Sequence, residues 1–437
     1  MRSVGQSGDH MKTHEVFGIQ PNISEHSYID RGSLDKTFRK LIERQQTHIA
    51  IRGASKSGKS WLRQRVLTDP IIVQCRLSYT TADIYRDVLA RLNIAVELEA
   101  TSKSSSGGKV GGGAEGGFKF IAKASVQGEM THGTETATKE KVVGRDVDDL
   151  EFVAQCLRES GRTLVIEDFH YLSVNEQRKF AFDLKTLWDY KTFVVVVGVW
   201  ISENMLITLN PDLADRIEEL SVTWQNNELK DVFKKGCGEL GLRTTEALAD
   251  NLAEISYESV GLLQKLALRL IDDELDITER TPDGTIIEIS NLEKLKDAAM
   301  HVADQLNQLY QAFAKRVCDG IRKRANSTGI YAHAMKAIMA ANDAVLVEGM
   351  TAKQIYDAAN AAEPRIHLGN LKTVLARFPD LQVDSEGRGL ILAYTEQREI
   401  ISVVDKQLLL YRRFATVKWP WEELIAEVSQ GELAFTD

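Results

Sequence analysis

Cysteine is scarce in this chain of 437 residues: Cys75, Cys156, Cys237 and Cys318 are far apart, and none belongs to a CxxC pair. Neither a zinc site nor a disulfide framework is indicated, and buried thiols in a reducing compartment are the expectation. Long apolar runs are lacking as well. The longest, Phe193 to Ile201, falls far short of the ~20 residues that span a bilayer, and its valines suit a core strand. No membrane partner is expected. Met1 to Glu15 carries no apolar segment of the signal-peptide kind, so a cytoplasmic protein is expected. There is no excess of positive charge. Lys and Arg number 54 against 63 Asp and Glu, for a formal charge of -9, which argues against a protein that coats nucleic acid but leaves room for a local basic face. No internal repeat is visible, so a solenoid is not supported.

What is present is a globular composition, 43% hydrophobic and 27% charged, with length for two or three domains. Within it stands one complete GxxxxGK[ST] loop: Gly53, Ala54, Ser55, Lys56, Ser57, Gly58, Lys59 and Ser60, followed by Trp61. The short β-branched run His48–Arg52 before it reads as a buried strand, and Trp61 to Leu67 continues as a helix. Glycines let the backbone curl its N–H groups toward phosphate, and the helix start adds positive potential. Lys59 is placed to meet the β/γ-phosphates, and Ser60 to offer its hydroxyl to Mg²⁺. ATP and Mg²⁺ are the expected cofactors.

Strand and helix patterns then alternate. Ile71 to Leu77 is a strand candidate, and Thr81 to Leu92 a helix with Thr81 as its N-cap. A Ser/Gly-rich insertion follows at about 98–145, too poor in apolar residues over Thr101 to Gly117 to pack alone; the alternation from Phe118 to Val126 allows either a hairpin arm or a surface excursion without a role. Asp149 to Ser160 reads as a helix and Thr163 to Asp168 as a strand ending in two acids. Asn175 to Tyr190 and Phe193 to Val199 form the next helix and strand. Asn204 to Arg216 reads as partly helical, Ile217 to Val222 as a fifth strand, and Asn226/Asn227 as the cap of a new helix. Repeated βα units predict an α/β fold, a largely parallel sheet with helices on both faces. Glu228 to Leu275 reads as purely helical, and Asn291 to about Lys323 as one long helix.

Three further helices are expected at Ala332 to Ala341, Thr351 to Ala361 and His367 to Phe378, then a hairpin of Leu381–Val383 and Leu390–Tyr394, which together make a winged helix. A last helix is expected over Gln397 to Phe414, before the aromatic tail Trp419-Pro420-Trp421. The expected segments are 1–47 with adenine-side contacts, 48–225 as the ATPase core, 226–280 as a helical lid, 281–326 as a connecting helix, 327–396 as the winged helix and 397–437 as the C-terminal helix and tail.

With its P-loop, the acids Glu167 and Asp168 at a strand end, a helical lid and a winged helix, the chain from about Tyr28 to Tyr394 resembles the AAA+ and STAND class of P-loop ATPases. The resemblance implies a P-loop AAA+-like sheet. It also implies that Glu167 joins Ser60 at Mg²⁺ and that Asp168 orients or deprotonates water. Tyr28 and Ile29 look like contacts to the adenine. Arg216, at the end of Asp212–Arg216, matches an arginine that reaches a neighbouring subunit's nucleotide. The chain departs from the pattern at three points. Glu167 stands where aspartate is usual, Gly198-Val199-Trp200 lacks the polar sensor, leaving Ser202 or Glu203 as substitutes, and Gln264 stands in the lid where an arginine is usual, beside Lys265. Hydrolysis is therefore expected to be slow. His170, close to the acids, is read first as structural.

Two classes of function follow. The favoured one is an ATPase switch that forms an ATP-dependent homo-oligomer and controls a separate effector, since no nuclease, TIR or protease motif is visible; the STAND resemblance suggests antiphage defence or signalling. The other is a DNA-associated ATPase of origin-recognition or transposition-helper type. DNA is the second choice because His367 to Arg377 is poorly basic and the wing sets Glu386 beside Arg388. A nucleotide-binding scaffold with little turnover is a third. Arg322-Lys323-Arg324 and Arg412-Arg413 read as exposed helix ends.

Overall fold

The computed structural model describes residues 11–31, 33–76, 78–94, 146–200, 204–282, 284–320, 328–382, 390–396 and 398–433. The insertion expected at 98–145, the substitute sensors Ser202 and Glu203, the basic run 322–324 and the wing residues 384–389 lie outside them. Two compact units are present. A sheet unit comprises Lys36–Arg52 and Val66–Leu220, and a loop unit comprises Met1–Asp35, Gly53–Arg65 and Ser221–Asp437.

In the sheet unit, β1 (His48–Arg52), β2 (Ile71–Gln74), β3 (Leu164–Glu167), β4 (Val194–Gly198) and β5 (Ile217–Ser221) lie in the order β2-β3-β4-β1-β5. The register is parallel from β2 through β1, pairing Ile72 with Val165, Val165 with Val195 and Ile49 with Val195. β3 and β4 are buried along their whole length, which is why they read as unbroken Leu/Ile/Val runs and not as alternating strands. The helices Thr81–Arg91, Leu150–Ser160 and Val174–Asp189 supply Ile84, Val88, Val153, Leu157, Phe180 and Leu184 to the same core. Thr80, not Thr81, caps the first of these. Its side chain accepts from the Asp83 N–H while Asp83 accepts from the Thr80 N–H at 2.9 Å, leaving Thr81 to donate to Glu176. All four cysteines are buried thiols. Burial, helped by Asp168 and Asp87, pushes the Cys75 thiol up to about 12.

The loop unit is mainly helical. Gln225, ahead of the expected Asn226, caps Asn226–Glu239 through a capping box with Glu228. The stretch expected to be purely helical contains β6 (Leu242–Thr244), paired in parallel with β7 (Ile287–Ile289), before the lid helices Glu246–Ile255 and Val260–Leu268. Leu292–Asp319 is one long helix whose buried side chains recur at three- and four-residue spacing, from Leu295 to Cys318.

Helices Ile330–Ala340, Ala352–Ala362 and Leu368–Gln382 then join β8 (Met350–Thr351), β9 (Leu392–Thr395) and β10 (Ile400–Val403) in an antiparallel sheet ordered β8-β10-β9, the elements of a winged helix. Its hairpin is not the expected one. Leu381 and Gln382 belong to the helix, and β9 pairs with Ile400–Val403, a stretch expected to be helical. The helix, expected to end at Phe378, runs on through Pro379, and its buried positions Leu371, Val374, Leu375, Phe378 and Gln382 keep the helical period. The buried Gln382 amide fixes the join by donating to the Phe378 and Leu392 carbonyls and accepting from the Ile391 and Leu392 N–H groups. The last expected helix begins at Gln407, because Ile400, Ile401, Val403 and Val404 are strand formers. Among the described residues no helix is long and apolar enough to cross a membrane.

Candidate functional site

The loop from Gly53 to Ser60 leaves β1 and enters the helix Lys59–Val66, as the motif requires. At Gly53 a Cβ would lie 2.7 Å from both the Val222 carbonyl oxygen and Ser57 Oγ, so no side chain fits there without moving backbone. Gly58 has φ of +89°, a left-handed conformation that a side chain would strain. Lys59 folds across the loop, its Nζ donating to the Gly53 and Ala54 carbonyls at 3.0 and 2.7 Å. Among the described residues the buried Ser57 Oγ has no hydrogen-bond partner. A tight turn ending on a helix start, with a lysine bridging it and a buried hydroxyl still unsatisfied, fits a polyphosphate.

Three parts of the loop unit grip this turn. The Trp224 indole N–H donates to the Ser57 carbonyl at 2.7 Å. The Gly261 N–H, at the start of lid helix Val260–Leu268, donates to the Lys56 carbonyl at 3.0 Å. Lys56 Nζ donates to Gln407 Oε1 at 3.2 Å. Trp224, Gly261 and Gln407 are absent from the sequence-derived site; no motif marks Trp224 or Gln407, and Gly261 opens the lid stretch with Gln264 and Lys265 that resembles a nucleotide-sensing helix. The Trp61 indole donates to the Gln20 carbonyl at 3.2 Å, and the following turn holds the N-terminal strap through Gln64, which accepts from the Ile23 N–H and donates to Pro21.

On the adenine side expected from the sequence, the Tyr28 hydroxyl donates to Asp35 at 2.5 Å, and burial together with Asp35 raises its pKa well above the ordinary phenol value. Ile29 packs against the hydrophobic core of the loop unit. Arg31 stacks over Trp224 at 4.1 Å and donates to the Thr223 carbonyl.

In the sheet unit, Glu167 closes β3 and is buried, and Asp168 follows with φ of +57°. Gln74, at the end of β2, donates to Asp168 Oδ2 at 3.0 Å. β3 and β1 are parallel with β4 between them, so Glu167 ends at the same edge of the sheet as Arg52, from which the P-loop issues. The His170 Nδ1 accepts from the Val199 N–H at 3.3 Å and ties the turn after β3 to the end of β4, a structural part. Where the resemblance calls for a polar sensor, the Trp200 ring lies over Gly198, and its indole N–H reaches Glu219, the partner of Arg52 at 2.6 Å.

Arg216 does not end a helix. It follows the short 3₁₀ turn Pro211–Leu213 and Asp215 in the left-handed region, donates to the Asp212 carbonyl and stacks 4.9 Å over Trp188. Gln264 is not aimed at phosphate. It is buried, accepting from the Gly18 N–H at 3.1 Å and donating to Ser27 at 3.0 Å, so it fastens the N-terminal strap to the lid. Gln264→Arg is therefore expected to cost about 2–4 kcal/mol, since it would bury an unmatched cation and break both bonds; chemical denaturation of the two proteins checks this. Lys265 lies half-buried, and its pKa is lowered by burial and by the nearby cations Lys56 and Arg269.

Three cations of the described winged-helix surface are paired with carboxylates. Lys353 pairs with Asp357, Arg365 with Glu363 and Lys372 with Glu399. Arg412 is not an exposed helix end: it donates to the Met339 and Ala341 carbonyls and pairs with Asp343, while Arg413 pairs with Glu254.

No family model matches the chain, and no curated protein matches it. Solved structures similar to it include the Aeropyrum pernix Orc1 protein in complex with DNA, at 12% identity and a TM-score of 0.40, covering 94% of this chain and 97% of that one. Cdc6p from Pyrobaculum aerophilum is 10% identical with a TM-score of 0.38, over 98% and 99% of the two chains. A STAND protein with a tetratricopeptide repeat sensor from Pyrococcus horikoshii is 12% identical with a TM-score of 0.36, over 96% of this chain and 46% of that one. Likeness at this level transfers no residue roles.

Proposed function

We propose that this chain is an ATP-binding switch of AAA+/STAND type that hydrolyses ATP slowly and, in its ATP state, associates with copies of itself and engages a separate effector. The observation that carries the reading is the P-loop held by the lid: the Gly261 N–H sits on the Lys56 carbonyl, so any change in the loop on phosphate binding is felt by the lid helix. ATP with Mg²⁺ would supply a γ-phosphoryl group for transfer to water. Lys59 would exchange the Gly53 and Ala54 carbonyls for phosphate oxygens, and Ser60 and Glu167 would hold the metal. Asp168, oriented by Gln74, would hold the attacking water or take its proton. Tyr28 and Ile29 would border the adenine. Trp200 in place of a polar sensor favours slow turnover. The setting suggested by the sequence resemblance is antiphage defence, in which the switch would gate an effector on another chain.

Arg216 would serve a neighbouring subunit's nucleotide by leaving Trp188. DNA is the weaker choice of partner, because three of the described winged-helix cations, Lys353, Arg365 and Lys372, are each paired with a carboxylate. Native mass and phosphate release, with and without ATP and Mg²⁺, test these roles. Wild type is expected to gain mass with ATP, Lys59→Ala and Arg216→Ala to stay at the smaller mass, and Asp168→Asn to bind ATP while losing about 100-fold in turnover. Unchanged mass in every condition would sink the assembly reading. Phosphate release unaltered in Asp168→Asn would remove that residue from the chemistry.

A further inference from the structure

At the amino-terminal edge of the sheet, opposite the ends of β1 and β3 that carry Arg52 and Glu167, lies a cleft of about 270 Å³ formed wholly within the sheet unit. Its floor is apolar, with Leu41, Leu164 and Phe193, and its rim carries Arg158, Arg162 and Lys191. Among the described residues no Asp or Glu lines it, although the chain as a whole bears a charge of -9.

The three cations differ in how they are held. Arg158 donates to the Tyr190 carbonyl at 2.6 Å and reaches Thr192 Oγ1 at 3.4 Å; both are neutral acceptors, so the guanidinium is fixed in place with its charge uncancelled. Arg162 is anchored by the Asp69 and Pro70 carbonyls and pairs with the Asp69 carboxylate at 2.9 Å, but that carboxylate side chain is 77% exposed, where ion pairs are weak. Lys191 has φ of +56° and is exposed, and its ammonium makes no ion pair among the described residues. Capping of helix ends accounts for the Arg158 contact with Tyr190. It does not account for a cavity with an apolar floor or for a described lining that holds three cations and no carboxylate.

We infer that this cleft is a second ligand site, which binds a small amphipathic anion with its apolar body on Leu41 and Phe193 and its carboxylate or phosphate-ester head between Arg158 and Lys191. Small-molecule pockets are mostly apolar with a few converging polar groups and span ~300–1,000 Å³, so this smaller cleft takes about one ring and a short chain. The guanidinium fork fits either head group.

Calorimetric titration of the full chain with 4-phenylbutyrate, phenyl phosphate and neutral 4-phenylbutyramide tests the site. At least one anion is expected to bind, and the amide about tenfold more weakly. Whichever anion binds more tightly identifies the preferred head group. Lys191→Gln, an exposed change, is expected to weaken the anion about fivefold without moving the melting temperature. Thr47→Trp is expected to abolish binding by filling the cleft, and Lys59→Ala to leave it intact. Absence of saturable binding by both anions, equal binding of acid and amide, or loss in Lys59→Ala with retention in Lys191→Gln would each overturn the assignment.

Discussion

Gly261→Val is expected to lower ATP affinity by at least ~30-fold, approaching the loss in Lys59→Ala, while leaving the sheet unit folded. A Cβ at this position would lie 2.5 Å from the Lys56 Cβ and 2.9 Å from the Lys56 carbonyl oxygen. Two of its three closest contacts are backbone atoms of the P-loop, so no side-chain rotation relieves them. The Gly261 N–H is also one of the helix-start donors that have no partner within their own helix, and here the loop carbonyl satisfies it. Ser259 serves a different donor, the Leu262 N–H. A valine would therefore add ~1–3 kcal/mol of overpacking and, by separating helix from loop, remove a hydrogen bond worth ~1 kcal/mol. Gly369→Ala is the control, because nothing lies within 4 Å of a Cβ there and alanine suits a helix. Fluorescent-nucleotide titration of the three proteins checks the prediction. Wild-type affinity in Gly261→Val would show that lid and loop are not coupled.

What could be read from the sequence was what local pattern determines. The buried strands before the P-loop and before Glu167 announced themselves as β-branched runs, and the long helix to Asp319 as a repeating apolar face. The parts that were missed depend on partners remote in the chain. β6 has three residues and exists because Ile287–Ile289 lies beside it. The wing was misplaced because Leu381-Gln382 alternates like a strand locally, whereas its helical state is fixed by Gln382 bonding to Leu392. Gln264 occupied a position where a phosphate-sensing residue was sought, yet its environment is set by Gly18 and Ser27, more than two hundred residues earlier. The P-loop followed the motif, but Trp224, which holds it, carries no spacing rule, and the contact of Gly261 with Lys56 lies outside any motif. The expectation of buried thiols matches the structure at all four cysteines.

Acidification from pH 6.5 to pH 4 is expected to cost the fold roughly 3 kcal/mol through His48 alone. This histidine begins β1 and is fully buried. Its Nδ1 accepts from the Val194 N–H at 3.1 Å, and its Nε2 donates to the Leu184 carbonyl at 2.8 Å, so both nitrogens are committed and the ring is held neutral. Burial lowers its pKa from 6.5 to about 4, and the hydrogen bond to Leu184 offsets only part of that. The native state thus binds a proton less readily than the unfolded chain does. Stability from this group is complete above pH 6.5, falls by up to ~1.4 kcal/mol per pH unit below it, and stops falling below about pH 4, where both states are protonated. His333, whose pKa is also lowered by burial, adds to the same slope, whereas the raised carboxyl of Asp183 opposes it. His48→Gln keeps a donor and an acceptor but no titrating proton. Urea unfolding across this range should give a curve shallower than wild type by the single-histidine slope, even if its plateau near neutral pH is lower. If the two slopes are equal, protonation of His48 is not what destabilises the sheet in acid.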